Sequence, residues 1–98
     1  MDEISVPLAV EVDPSRNLNH LLADRVAAKG DETLMEHKLD PDGPWVAVTA
    51  REFDARVVAV AKGLVAKGVE PGQSVGIMSR TRFEWSLLDW AVWAAGAV

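Results

Sequence analysis

The spacing of apolar residues along this chain switches repeatedly between two and three-to-four, and each switch predicts an element. From Ile4 to Val12 every second position is apolar (Ile4, Val6, Leu8, Val10, Val12), which aligns these side chains on one face of an extended segment. Pro7 has no amide hydrogen, so this segment suits a sheet edge or an extended arm laid against the body, and disorder is the third alternative for a stretch so near a terminus. Asp13-Pro14-Ser15 breaks the run. Asn17 or Asn19 can then cap a short helix carrying Leu18, Leu21, Leu22 and Val26 at helical spacing and closed by Gly30. Thr33 to Lys38 and Trp45 to Thr49 are short β-like runs joined by Leu39-Asp40-Pro41-Asp42-Gly43-Pro44, a string of turn formers, and a hairpin is the simplest join.

Thr49-Ala50-Arg51-Glu52 has the capping-box pattern, in which a hydroxyl accepts from the third helical amide and a Glu reaches back to the cap amide. A helix is expected behind it. Phe53, Val57, Val60, Ala61, Leu64 and Val65 keep one side apolar as far as Lys67, and Gly68 supplies the left-handed residue that ends it. Glu70-Pro71-Gly72 turns the chain into an apolar run from Ser74 to Ser79, with its strand at Val75 to Met78. A run of that length after Pro-Gly suits an interior parallel strand.

The capping pattern recurs at Thr81-Arg82-Phe83-Glu84, and the helix behind it is apolar on two faces. Trp85, Leu88, Val92 and Ala95 form one side and Phe83, Leu87, Trp90 and Ala94 the adjacent one, leaving Ser86 and Asp89 as a polar stripe interrupted by Trp93. Such a helix expects neighbours on both faces. A parallel strand likewise needs a partner reached by a crossover, so the stretch from Gly68 to Val98 reads as the opening half of a βαβ unit in a longer protein.

Composition narrows the function. With 98 residues, 49% of them apolar, the chain is one domain or part of one. A net charge of -5 argues against nucleic acid or an anionic membrane, which need clustered cations. There is no cysteine, hence no disulfide or thiolate metal site. Met1-Asp2-Glu3-Ile4 is acidic where a secretory signal is basic, and no apolar run is long enough to span a membrane, so a cytoplasmic location is expected.

Candidate chemistry is thin. Ser79-Arg80-Thr81-Arg82 lies between a predicted strand and a helix start, where open α/β sheets bind ligands and free amides favour anions. No Gly-rich phosphate loop accompanies it, and the plainer reading is a capped helix start with two solvated arginines, Arg80 and Arg82. His20 and His37 stand alone without a second ligand at metal spacing, and neither is assigned a role. The acid pairs Asp2-Glu3 and Asp31-Glu32 fall in a tail and a turn, where solvation accounts for them. Three of the four tryptophans, Trp85, Trp90 and Trp93, share one helix, which favours packing over a ligand box.

Several runs taken in order resemble a known family. They are Trp45-Val46-Ala47-Val48-Thr49-Ala50-Arg51-Glu52-Phe53, Leu64 through Ser79 around Val69-Glu70-Pro71-Gly72, Arg80-Thr81-Arg82-Phe83-Glu84-Trp85, and Ala94-Ala95-Gly96-Ala97-Val98. Together they resemble the N-terminal part of the adenylate-forming enzymes, most of all the bacterial long-chain fatty acid–CoA ligases. The resemblance runs from about Asn17 to the end, with Gln73 departing from the Asp usual after Pro-Gly.

The resemblance implies an α/β fold: the incomplete N-terminal part of the adenylate-forming architecture, with a β-hairpin, a βα unit and about three helices. The alternating run gives an extended arm over residues 1–16, and the resemblance makes residues 17–98 an AMP-binding-domain fragment. It further implies a parent enzyme that converts a long-chain fatty acid, ATP and coenzyme A, with magnesium, to acyl-CoA, AMP and pyrophosphate through an acyl-adenylate. The family's catalytic motifs lie beyond these residues. No catalytic, cofactor-binding or metal residue is therefore carried onto this chain, no cofactor is expected to bind the fragment alone, and the fragment is expected to be inactive and to self-associate. Two rivals remain: a self-contained small α/β interaction module that dimerises through its apolar C-terminal helix, and a minor nucleotide- or CoA-binding domain using Arg80 and Arg82.

Overall fold

A computed structural model describes residues 2–98. In chain order it has α1 (Leu18–Lys29), β1 (Thr33–Lys38), β2 (Trp45–Thr49), α2 (Ala50–Ala66) and α3 (Phe83–Ala94). The strands pair as an antiparallel hairpin, with Glu36 opposite Ala47, His37 opposite Val46 and Lys38 opposite Trp45. The register slips between Thr33 and Met35, a bulge that lets the consecutive residues Leu34 and Met35 both pack against the core. In the connecting loop the Asp40 carbonyl accepts from the Gly43 amide at 2.9 Å and its carboxylate from the Asp42 amide at 3.0 Å.

Helix ends follow from local chemistry. Asn17 caps α1, its side chain accepting from the Asn19 amide, while His20 Nδ1 accepts from the Asn17 amide at 3.0 Å. At α2 the expected capping box is in place: Thr49 Oγ1 accepts from the Glu52 amide at 3.1 Å, and Glu52 accepts from the Thr49 amide at 2.9 Å. Both α2 and α3 end in a Schellman motif. Gly68 (φ +100°) and Gly96 (φ +80°) take the left-handed position, and Val69 and Ala97 donate back to the carbonyls of Leu64 and Val92.

The core sits where the three helices meet one face of the hairpin. Leu22 from α1, Val48 from β2, and Phe53 and Val57 from α2 are buried together, with Val26, Phe83, Leu87 and Trp90 packed around them. The Gly30 and Glu32 carbonyls accept from the Arg51 and Ala50 amides, fastening the end of α1 to the start of α2. Gly30 is buried there because a Cβ would lie 2.5 Å from the Arg51 guanidinium and 2.6 Å from the Val26 carbonyl oxygen.

Three expectations need correction. Residues 4–12 join no sheet, and Ile4, Val6, Leu8, Val10 and Val12 are between 76% and 87% exposed. Just after them the chain bends: Arg16 donates to the Asp13 carbonyl at 3.2 Å, and the Ser15 amide and hydroxyl donate to the Asp13 carboxylate. The run from Ser74 to Ser79 is not a sheet strand either. Its start lies parallel to residues 96–98: Gly96 accepts from the Gly72 amide at 2.8 Å, and Val98 accepts from the Val75 amide at 2.7 Å and donates to the Gln73 carbonyl at 2.8 Å. The pairing stops there, and Gly76 to Ser79 have no strand alongside, so the run is not part of the sheet formed by β1 and β2. Finally, Thr81 does not cap α3: the cap residue is Arg82, and no side chain bonds the first amides.

Candidate functional site

The Arg80–Arg82 segment does border a cleft. It opens between the end of the hairpin and the start of α3, has a volume of about 710 Å³, and is walled by His37, Lys38 and Trp45 on one side and Arg80, Arg82 and Phe83 on the other. Hairpin register decides which side chains arrive. Lys38 lies opposite Trp45 and its ammonium sits 5.3 Å from the indole, while His37 stacks on Phe83 at 4.2 Å between ring centres and 22° between planes. The Arg56 guanidinium lies 5.6 Å from the Phe83 ring centre, so Phe83 is held by α2 and by β1.

The two arginines differ. Arg82 is committed to Glu84, with Nε to Oε2 at 2.6 Å and Nη2 to Oε1 at 3.0 Å, a two-point grip that planar guanidinium geometry favours. That grip holds the Glu84 carboxyl below its ordinary range and raises the already basic guanidinium further. It also explains the missing capping box, because Glu84 is turned toward a side chain and away from a cap amide. Arg80 lines the cleft and is exposed.

A triphosphate needs several convergent donors at close quarters, supplied by a glycine-rich loop or a set of uncommitted cations. Here one arginine is neutralised and the acids Glu36 and Glu84 share the cleft wall. The donor set does not fit a nucleotide phosphate chain. Among the described residues no group of three or more acidic or histidine side chains is arranged to hold a metal ion.

The remaining singled-out residues have structural settings. His20 is part of the α1 cap, a role the sequence hides because Asn-x-x-His is not the usual capping pair. His37 is a packing residue against Phe83. Asp31 pairs with Arg51 at 3.1 Å and Glu32 with Arg25 at 3.4 Å, all on the surface. Trp90 and Trp93 meet edge-on at 5.3 Å and Trp85 is half-buried, so the α3 tryptophans pack without being enclosed. A second, mostly apolar groove of about 420 Å³ runs between α2 and α3, lined by Val58, Ala61, Val65, Ala94 and Ala95 with Lys62. No helix among the described residues is long and apolar enough to cross a membrane.

Comparison with known proteins supplies what the cleft does not. A model of the AMP-binding enzyme family matches residues 22–98. The long-chain-fatty-acid–CoA ligase FadD15 of Mycobacterium tuberculosis (strain ATCC 25618 / H37Rv) is 37% identical over all 98 residues, which span 16% of its length. The protein of the same name from Mycobacterium bovis (strain ATCC BAA-935 / AF2122/97) matches equally, at 37% over the same span. Among solved structures, the fatty acyl-adenylate ligase from L. pneumophila, in complex with acyl adenylate and pyrophosphate, aligns with a TM-score of 0.73. That alignment covers 83% of this chain and 14% of the ligase at 18% identity, a likeness of fold. The hairpin and three helices thus match the N-terminal part of an adenylate-forming ligase, and neither the self-contained module nor the minor binding domain gains support from these matches. With the family pattern running from the middle of α1 through Val98, this chain belongs to the AMP-binding enzymes.

Proposed function

We propose that these residues form the N-terminal part of an ATP-dependent long-chain fatty acid–CoA ligase. The observation that carries this reading is the 37% identity, sustained over every residue of the chain, to a long-chain-fatty-acid–CoA ligase. The reaction of the whole enzyme has two steps. A fatty acid carboxylate attacks the α-phosphorus of magnesium-bound ATP, giving acyl-adenylate and pyrophosphate. The thiol of coenzyme A then displaces AMP and yields acyl-CoA.

In this reading no residue of the chain is catalytic and none binds ATP, magnesium or coenzyme A. Its contribution is scaffold: residues 17–98 belong to the adenylation domain, residues 1–16 form an arm, and the enzyme works in the cytoplasm. The experiment compares two polypeptides supplied with ATP, magnesium, a long-chain fatty acid and coenzyme A. The full-length product of the gene releases pyrophosphate and accumulates acyl-CoA in proportion to fatty acid, whereas the 98-residue chain does neither. A full-length product that forms no acyl-CoA defeats the ligase reading; fatty-acid-dependent pyrophosphate from the short chain defeats the scaffold reading.

Alone, the chain leaves the α2–α3 groove uncovered, with Val58 and Val65 exposed, and an uncovered apolar surface promotes association. Self-association of the isolated chain follows, and sedimentation velocity giving one monomeric species at all concentrations overturns it.

A further inference from the structure

We propose that His20 is a pH-sensitive latch at the start of α1: its neutral imidazole closes the helix cap, and protonation of the ring opens it. The cap is reciprocal. The Asn17 side chain accepts from the Asn19 amide at 3.0 Å, and His20 Nδ1 accepts from the Asn17 amide at 3.0 Å. In the usual capping box the reaching-back residue is Glu or Gln, whose oxygen is an acceptor throughout the neutral range. An imidazole accepts only through a ring nitrogen that carries no hydrogen, and the charged ring has a hydrogen on both. A hydrogen added at Nδ1 would face the Asn17 amide hydrogen, donor against donor, so the ring must turn away and leave that amide to water.

The surroundings leave the ring free to respond. His20 is exposed, whereas Leu22, two residues on and so about 200° round the helix, is buried against Val48, Phe53 and Val57. The α2 helix and the hairpin therefore lie on the far side of α1 from the ring. On α1 itself Asp24 stands one turn beyond His20 and is paired with Arg16. The α3 helix meets the start of α1 where Asn19 Nδ2 donates to the Trp93 carbonyl at 3.2 Å, and its charged side chain nearest in sequence to that point is Asp89, one turn earlier. From the segment before α1 comes Asp13. Its carboxyl is held below the ordinary range by the hydrogen bonds from the Ser15 hydroxyl and amide, and further by the charge of His20. Asp13 is thus an anion wherever an imidazole titrates, and it draws the released imidazolium.

The position of the latch gives it an effect. Residues 4–12 join no sheet, so the arm is held at its root by the bend in which the Arg16 amide donates to the Asp13 carbonyl, by the Arg16–Asp24 pair and by the cap. Opening the cap removes one of these three holds and loosens the junction between residues 1–16 and the rest of the chain.

Composition suits a direct test. Asn17 and Asn19 are the chain's two asparagines, and His20 and His37 its two histidines, so asparagine labelled with nitrogen-15 and ring-labelled histidine give a nuclear magnetic resonance spectrum confined to the cap and one control ring. In the 98-residue chain the neutral His20 ring is expected in the tautomer with its hydrogen on Nε2. As pH falls from about 8 to about 5, the Asn17 amide proton is expected to move upfield with the same midpoint as the His20 ring. His20→Gln keeps an acceptor that does not titrate and is expected to hold the Asn17 amide downfield over the whole range. His20→Ala is expected to place it upfield at every pH. Both variants change an exposed side chain and retain His37, whose titration is thereby separated from that of the latch. A neutral His20 with its hydrogen on Nδ1, an Asn17 amide that does not follow the ring, or one that titrates equally in His20→Gln each overturns the proposal.

Discussion

Phe53 is 1% exposed and meets the ring of Phe83 edge-on, 6.1 Å away and at 76°, so the innermost side chain of α2 is also the one that positions the start of α3. Removing it leaves a cavity that so small a core closes only in part. Phe53→Ala is expected to cost about 3–5 kcal/mol, comparable with the whole stability of a small domain, and urea unfolding followed by circular dichroism measures it. Two glycines make opposite predictions about space. At Gly68 a Cβ meets nothing within 4 Å, but φ is +100°, so Gly68→Ala costs about 1–2 kcal/mol through backbone strain alone. At Gly30 φ is an ordinary helical -58°, yet a Cβ would lie 2.6 Å from the Val26 carbonyl oxygen of α1 itself and 2.5 Å from the Arg51 guanidinium, so Gly30→Ala distorts the end of α1 and displaces the Arg51 side chain. The sequence marks Gly68 and Gly30 alike as helix ends, because the clash at Gly30 depends on Arg51, which is distant in the chain.

Protonation belongs to the same scale. Glu84 is held below its ordinary range first by the hydrogen bond from Arg82, and also by a backbone bond and by the charges of Arg82 and His37. A carboxyl with a depressed folded pKa contributes stability that is present above its unfolded value and is lost as pH falls through the folded one. The pair is exposed, so that contribution is small. Carboxyl titration by NMR is expected to place Glu84 below free glutamate and to move it back toward the free value in Arg82→Gln; an unshifted Glu84 in the parent chain contradicts the grip seen here.

Elements show where a local signature suffices. Thr49 and Glu52 satisfy both halves of the capping box, and Thr49→Ala is expected to cost about 1 kcal/mol. Thr81 and Glu84 carry the same signature without the structure, so Thr81→Ala is expected to leave the thermal midpoint unchanged. The competitor lies inside the motif, but an arginine also stands inside the intact box as Arg51, so its presence alone did not reveal the difference. Arg82 competes for the Glu84 carboxylate, and a guanidinium offers two strong bonds where a cap amide offers one. Both strands of the hairpin were legible to the residue, because turn formers bound them and a strand pair closes locally. The run from Ser74 to Ser79 was legible as extended backbone and not as a sheet member, since membership depends on what lies alongside it. The cleft near Arg80 was legible only as a location. Its walls depend on the hairpin register, which places His37 against Phe83, and no spacing rule in the sequence carries that pairing.

At the scale of the whole molecule the family was legible and the site was not. Scattered turn glycines, a cap and an ordered set of short runs identify a lineage, whereas a site requires groups that converge, and those groups are not assembled by residues 2–98. The exposed arm, the α2–α3 groove and the half-buried tryptophans of α3 are apolar surfaces of one protein whose relatives are about six times longer, given that the chain spans 16% of them.

The chain has four tryptophans and no tyrosine, and three of the four lie on α3. Its ultraviolet emission is therefore dominated by the surroundings of a single rod. The fourth, Trp45, is 64% exposed beside Lys38 and is open to a water-borne quencher. Iodide quenches that indole most strongly and the half-buried ones of α3 less, so whatever settles against α3 announces itself as a blue shift and a loss of the remaining quenching, with no dye or label attached.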